Sequence, residues 1–139
     1  MNPHYAHVAL RAGHRCEYCH APEVVFNFPF EVEHIIPLSR SGTDTETNWA
    51  LACRSCNLWK AAHLHGIDPQ SSVEVRLFHP REDDWETHFS VDLESGEIQG
   101  RTPIGRATVA RLRLNDEAQR AVYPDDLQDA VGRLSDTWC

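Results

Sequence analysis

The chain has 139 residues, 41% of them hydrophobic and 24% charged, and a formal net charge of -8 at pH 7. That composition predicts one ordinary folded domain and excludes a disordered chain, and no apolar run approaches the roughly 18 residues that cross a bilayer. The net acidity excludes a broad basic face that coats nucleic acid, and the first 13 residues lack the apolar stretch of an export signal, so a cytoplasmic protein is expected.

Taken in chain order, His4 to Ala12 predicts a short helix, with Asn2 as its cap, Pro3 at the first helical position and Val8 and Leu10 as apolar positions. Val24 to Ile36 is rich in β-branched and aromatic residues and predicts a brief strand followed by a main one over Phe30 to Ile36, with Val32 and Glu33 on opposite faces. Pro37 ends it, and Ser39 to Thr47 is a polar loop. Trp49 to Cys53 is the return segment, and Cys56 to about His65 a helix with Leu58, Ala61 and Ala62 available for packing.

Beyond Pro69 the pattern turns to period two through Val73, Val75 and Leu77. Thr87 to Leu93 and Glu97 to Arg101 form a hairpin through Glu94-Ser95-Gly96, and Thr102-Pro103 starts a helix over Ile104 to Leu112. Asp116 to Tyr123 and Asp125 to Leu134 read as two further helical pieces. The fold class is α+β. Residues 1–66 form a core and residues 67–139 an α+β extension packed on it, with no linker and no repeat.

Charge and chemistry are segregated along this order. Residues 1–65 carry 5 cations and 6 acids, whereas residues 66–139 carry 8 cations and 15 acids. Lys60 is the single lysine among 13 cations, and the arginines suit bidentate contact with phosphate or carboxylate. Four of the five cysteines stand in the first part as two Cys-x-x-Cys pairs, Cys16 with Cys19 and Cys53 with Cys56.

Each two-residue gap lets both sulfurs of a tight turn face one ion, and four thiolates satisfy tetrahedral zinc with no open position, so the site is structural. Disulfides and a thioredoxin-like redox pair are the other uses of such cysteines; the first is disfavoured without export, and the second needs only one pair. Cys139 has no partner and reads as a free thiol. Between the knuckles lies an insert of 33 residues, longer than the roughly 15–20 of a simple zinc ribbon.

That insert contains Val32-Glu33-His34-Ile35-Ile36-Pro37-Leu38-Ser39. A carboxylate and an imidazole adjacent on an apolar strand are expensive to bury together without a partner. Asn48 follows across the loop, Asn57 comes directly after the last paired cysteine, and Lys60 stands one turn further along. Polar residues thus surround one hairpin stapled by zinc.

The run Cys-x-x-Cys, acid-His-Ile-x-Pro-x-Ser, Asn, Cys-x-x-Cys-Asn-x-x-Lys over residues 16 to 60 resembles the four-cysteine subgroup of the HNH endonucleases. Gly66-Ile67-Asp68-Pro69, Leu77-Phe78-His79-Pro80-Arg81, Trp85, His88-Phe89 and Gly105-Arg106-Ala107-Thr108-Val109 extend a likeness to small bacterial HNH proteins. The resemblance implies a ββα-metal core and a metal-dependent endonuclease that hydrolyses phosphodiester bonds in DNA and leaves 5′-phosphate and 3′-hydroxyl ends.

By position it implies that His34 is the general base, that Glu33 and Asn57 hold one Mg²⁺ or Mn²⁺, and that Asn48 fixes the hairpin. Lys60 or Arg54 would add positive charge at the phosphate. Glu33 stands where many relatives carry Asp, and Asn57 where others carry His, which implies modest metal affinity and favours a hard ion. The alternative is a catalytically silent, zinc-stabilised module of the same fold that binds nucleic acid or protein.

Arg101, Arg106, Arg111 and Arg113 are equally suited to tracking a DNA backbone or to pairing with the surplus acids. His63 and His65, close to Lys60, offer an alternative metal site; the remaining histidines (His4, His7, His14, His20, His79, His88) read as surface or packing residues, and Trp49, Trp59 and Trp85 as core. With so little net attraction, nonspecific DNA affinity is expected to be weak and lost by moderate salt. Oligomeric state is not legible.

Overall fold

Asn2 and Pro3 form a turn ahead of the first helix rather than its first residues. The Asn2 side chain accepts from the His4 amide at 2.8 Å and its carbonyl from the Tyr5 amide at 3.1 Å, so α1 spans Tyr5–Arg11. Val8 and Ala9 are its buried residues, while Leu10, expected inside, is 75% exposed. The computed structural model describes residues 2–116; the two helical pieces expected from Asp116 onward, and Cys139, fall outside the described residues.

The expected early strand is instead a turn of 3-10 helix over Glu23–Val25. Its carboxylate explains why. Glu23 accepts from the Tyr5 hydroxyl at 2.6 Å and from the Phe30 amide at 2.6 Å, which closes the segment on itself. Phe26 packs against Phe28 and Phe30 with centroids 6.2 and 5.1 Å away. The main strand, β1, is confined to Glu31–His34.

β1 pairs antiparallel with β2 (Trp49–Ala52), placing Glu33 opposite Ala50 and His34 opposite Trp49. β2 is buried along its length. The following helix, α2, spans Arg54–Lys60 and ends where Ala61 takes a left-handed φ of 48°. It therefore starts and stops earlier than expected, and its inward positions are Cys56 and Lys60, leaving Leu58 67% exposed and Ala61 and Ala62 outside.

A short strand that the sequence reading missed, β3 (His65–Ile67), pairs with β4 (Glu74–Arg76). One helical turn, α3 (Trp85–His88), leads into the expected hairpin of β5 (Phe89–Val91) and β6 (Ile98–Gly100). α4 then spans Pro103–Leu112, with the Thr102 hydroxyl capping the Gly105 amide at 3.0 Å. A Cβ on Gly105 would meet the His88 carbonyl at 2.0 Å, so only glycine lets α4 sit this close to α3.

Among the described residues the elements are four α-helices and three two-stranded antiparallel sheets, the α+β class expected. α4 packs on α2, β3, β4 and β6, and one apolar cluster runs from Val8 to Leu114. The first cysteine knuckle is tied into it by main-chain and side-chain bonds. The Glu17 amide donates to the Leu51 carbonyl at 2.8 Å, the Leu51 amide donates to the Glu17 carboxylate at 2.7 Å, and the Trp85 indole donates to the Tyr18 carbonyl at 2.8 Å.

Candidate metal centre and active site

The four paired cysteines are buried, and their sulfurs lie within 4.8 Å of one another. The Cys19 and Cys53 sulfurs are 3.8 Å apart. A tetrahedron of thiolates about 2.3 Å from a central zinc has edges of about 3.8 Å, whereas a disulfide needs about 2.05 Å. Hydrogen bonds with Cys16, Cys19 and Cys53, and then burial, raise the Cys56 pKa well above that of a free thiol, a cost that a cation at the centre removes. The donor set and its spacing therefore fit Zn²⁺, and among the described residues it is the one group of three or more metal-type side chains close enough to share an ion.

Above this centre β1 sends consecutive residues to opposite sides. Glu33 turns inward and is 5% exposed. Its Oε1 accepts from the Tyr18 hydroxyl, and its Oε2 lies 3.1 Å from the Lys60 ammonium, which is 2% exposed and also donates to the Ile35 carbonyl at 2.7 Å. Burial raises the Glu33 pKa despite Lys60, and burial with the Glu33 charge raises that of Tyr18 well above the phenol range. Oε2 makes no well-angled hydrogen bond, so its partnership with Lys60 is Coulombic.

His34 goes the other way and is 24% exposed on its side chain. Its position is set by the loop that returns to β2. Asn48, 5% exposed, accepts from the Ile36 amide at 2.8 Å and donates to the Ile36 and Thr43 carbonyls at 2.9 and 2.7 Å. A Cβ on Gly42 would meet the Ile36 carbonyl at 1.8 Å, so glycine is required where the loop folds back on the strand end. The loop thereby brings Asp44 against His34, with Oδ1 and Nε2 2.8 Å apart, and the Trp49 indole donates to the same Oδ1 at 3.0 Å. The hydrogen bond from His34, then that from Trp49, lower the Asp44 pKa.

Of the expected site residues, then, Asn48 and His34 share the loop side of the hairpin, while Glu33 and Lys60 face each other inside it. Asn57 is half-buried on α2, its amide bonded to the Cys53 carbonyl at 3.0 Å. Arg54 is exposed and lies over the Phe28 ring at 4.9 Å. A divalent ion held by Glu33 and Asn57 needs a free carboxylate, and Glu33 as placed does not fit that role, because both its oxygens face Tyr18 and Lys60.

The four C-terminal arginines separate. Arg106 is bidentate to the buried Asp68 at 2.8 and 3.0 Å, and Arg101 donates to the Glu86 carbonyl at 3.0 Å. Arg111 donates to the Trp59 carbonyl at 3.4 Å, and Arg113 stacks over the Trp59 ring at 3.6 Å. His4 and His20 stack on Trp49 and Trp85, both with centroids 4.0 Å apart, which makes them packing residues.

Two residues of the site were missed in the sequence. Asp44 was read only as part of a polar loop, although an acid four positions before Asn48 in the same loop was the available sign. Tyr18, inside the first knuckle, gave none.

With this geometry in place, comparison with known proteins gives one result. Residues 16–63 match the model of the HNH endonuclease family, the segment that holds both knuckles, β1, β2, α2 and every expected site residue. No curated protein and no solved structure matches the chain. Among the described residues no helix is long and apolar enough to cross a membrane.

Proposed function

We propose that this chain, through the HNH endonuclease-family segment at residues 16–63, is an endonuclease that hydrolyses phosphodiester bonds in DNA. The observation that carries the reading is the placement of His34. An imidazole stands half-buried at the end of β1, on a hairpin closed by Asn48 and stapled by a four-cysteine centre, within the matched segment.

In this reading a neutral His34 takes a proton from water, and the oxygen of that water forms a bond to phosphorus in line with the 3′-oxygen. The bond to the 3′-oxygen then breaks, solvent protonates it, and 5′-phosphate and 3′-hydroxyl ends result. Asn48 holds the hairpin that presents the imidazole, and Zn²⁺ in the cysteine centre holds the scaffold. The strand–strand–helix run β1–β2–α2 corresponds to the proposed ββα-metal core. No step is drawn through a Mg²⁺ or Mn²⁺ ion, because Glu33 does not fit it in this arrangement; the ion requirement is an outcome of the assay.

The test is conversion of supercoiled plasmid by the zinc-loaded full chain with Mg²⁺, with Mn²⁺ and with EDTA. Wild type is expected to cleave with divalent metal, and His34→Ala to lower the rate by about 10²–10⁴-fold with zinc content and melting unchanged. Cleavage by His34→Ala at the wild-type rate, or none by wild type with either metal, sinks the reading.

A further inference from the structure

The acid within reach of His34 is not its sequence neighbour. Glu33 is sealed below the strand with Tyr18 and Lys60, whereas Asp44, 64% exposed on its side chain, meets the imidazole at 2.8 Å. We infer that Asp44 is a positioning residue for His34: its carboxylate accepts a hydrogen bond from Nε2–H, fixes the ring and leaves Nδ1 as the nitrogen that takes a proton. The inference rests on the nuclease reading above, and it assigns the orienting role to a loop residue that the expected site did not include.

Four contacts hold Asp44 where it is. Its neighbour Thr43 is pinned through its carbonyl by Asn48 at 2.7 Å, and the Thr43 and Thr45 hydroxyls that flank it are 2.8 Å apart. Gly42 seats the start of the loop against the Ile36 carbonyl. The Trp49 indole, on a residue only 6% exposed, fixes the same Oδ1 that meets His34. An exposed ion pair held only by its own charges contributes little, since solvent and side-chain entropy oppose it. Here buried groups fix one partner, so the other is oriented without that entropic cost.

The chemistry follows from the geometry. When Nδ1 takes a proton from water, the ring becomes a cation, and a carboxylate already bonded to Nε2–H stabilises it in place. No covalent bond to Asp44 forms, and its proton count does not change. The gain lies in orientation and charge at the moment of proton transfer, so it belongs to kcat rather than to DNA binding.

The test uses zinc-loaded full-length protein in two arms. In the first, Asp44→Ala is expected to lower kcat about 100-fold and Asp44→Asn about 10-fold, with KM, zinc content and melting unchanged. Asn retains an acceptor for Trp49 and so separates charge from loop structure. In the second, histidine ¹⁵N-labelled protein is expected to show a protected low-field His34 ring N–H proton that disappears in Asp44→Ala.

Wild-type kcat in both variants while His34→Ala is inactive overturns the positioning role and leaves the nuclease reading standing. If wild type does not cleave, the nuclease reading fails, and the ring proton alone decides the orientation: its loss in Asp44→Ala supports it, and its persistence overturns it.

Discussion

The inner and outer sides of β1 treat polar residues in opposite ways. On the inner side Glu33, Lys60 and Tyr18 form a sealed polar group, exposed by 5%, 2% and 0%. On the outer side His34, Asp44 and Asn48 form a rim in which the imidazole and the carboxylate face solvent in part. Neighbouring residues on a strand point to opposite faces, so the adjacency of Glu33 and His34 in sequence separates them in space. The inner group is closed off from solvent beneath the strand, and the outer group is where solvent reaches.

The change with the largest effect removes both sides at once. The cysteine centre carries Tyr18 between two of its ligands, and Glu17 ties the same knuckle to β2. Structural zinc contributes on the order of 10 kcal/mol or more of folding free energy, comparable with the whole stability of a small domain. A strong zinc chelator, or Cys56→Ser, is therefore expected to unfold the chain, read by loss of near-ultraviolet circular dichroism. A chelated protein that keeps its native signal would show that the hairpin stands without the metal.

The next change addresses the inner side alone. Lys60→Met leaves Glu33 buried without its cation and is expected to cost about 3–5 kcal/mol in denaturant unfolding, and Glu33→Met in the same chain to recover most of it. Glu33→Gln sharpens the comparison further. It keeps an acceptor for Tyr18, so if Glu33 is only a support, plasmid cleavage stays within a few-fold of wild type. Abolished cleavage in a folded Glu33→Gln protein would instead mean that the inner pair opens and that Glu33 binds metal in the working state.

What could be read from the sequence follows the range of the interactions involved. The two cysteine knuckles were legible because Cys-x-x-Cys spacing is local geometry, and the Thr102 cap and Pro103 marked the start of α4 for the same reason. The direction of Glu33 was not, because it depends on Tyr18 and Lys60, which lie 15 and 27 positions away and become neighbours only when the first knuckle and α2 pack against β1. Leu58 misled for a related reason: Cys56 and Lys60 occupy the inward face of α2, so the apolar residue between them points out. Three-residue β3 carried no periodicity of its own and is defined by its pairing with β4. Asp44 was hidden because a loop residue's partner is set by how the loop closes, here by Gly42 and Asn48.

The smallest expected effect comes from a second sealed acid, in the acidic part of the chain. Asp68 is fully buried, accepts two bonds from Arg106, and is also bonded by the Ser71 hydroxyl at 2.8 Å and the Gln70 amide at 3.0 Å. The bonds from Arg106, ahead of the others, hold its pKa below the usual carboxylate value. A carboxylate with a lowered folded pKa stabilises the fold above its unfolded value of about 3.9, and that stability is lost as pH falls through the folded value. Melting temperature is thus expected to fall progressively as pH drops below about 4, with Asp68→Asn lowering it at pH 7 and flattening that acid limb. Asp44→Asn, on the exposed rim, is expected to leave that limb unchanged, since an exposed pair contributes little to stability. Added salt of about 0.5 M should not remove the Asp68 contribution, because a buried pair is screened far less than a surface one. If Asp44→Asn flattened the acid limb as much as Asp68→Asn, the rim would be a structural support like the sealed groups, and the division between the two sides of β1 would fail.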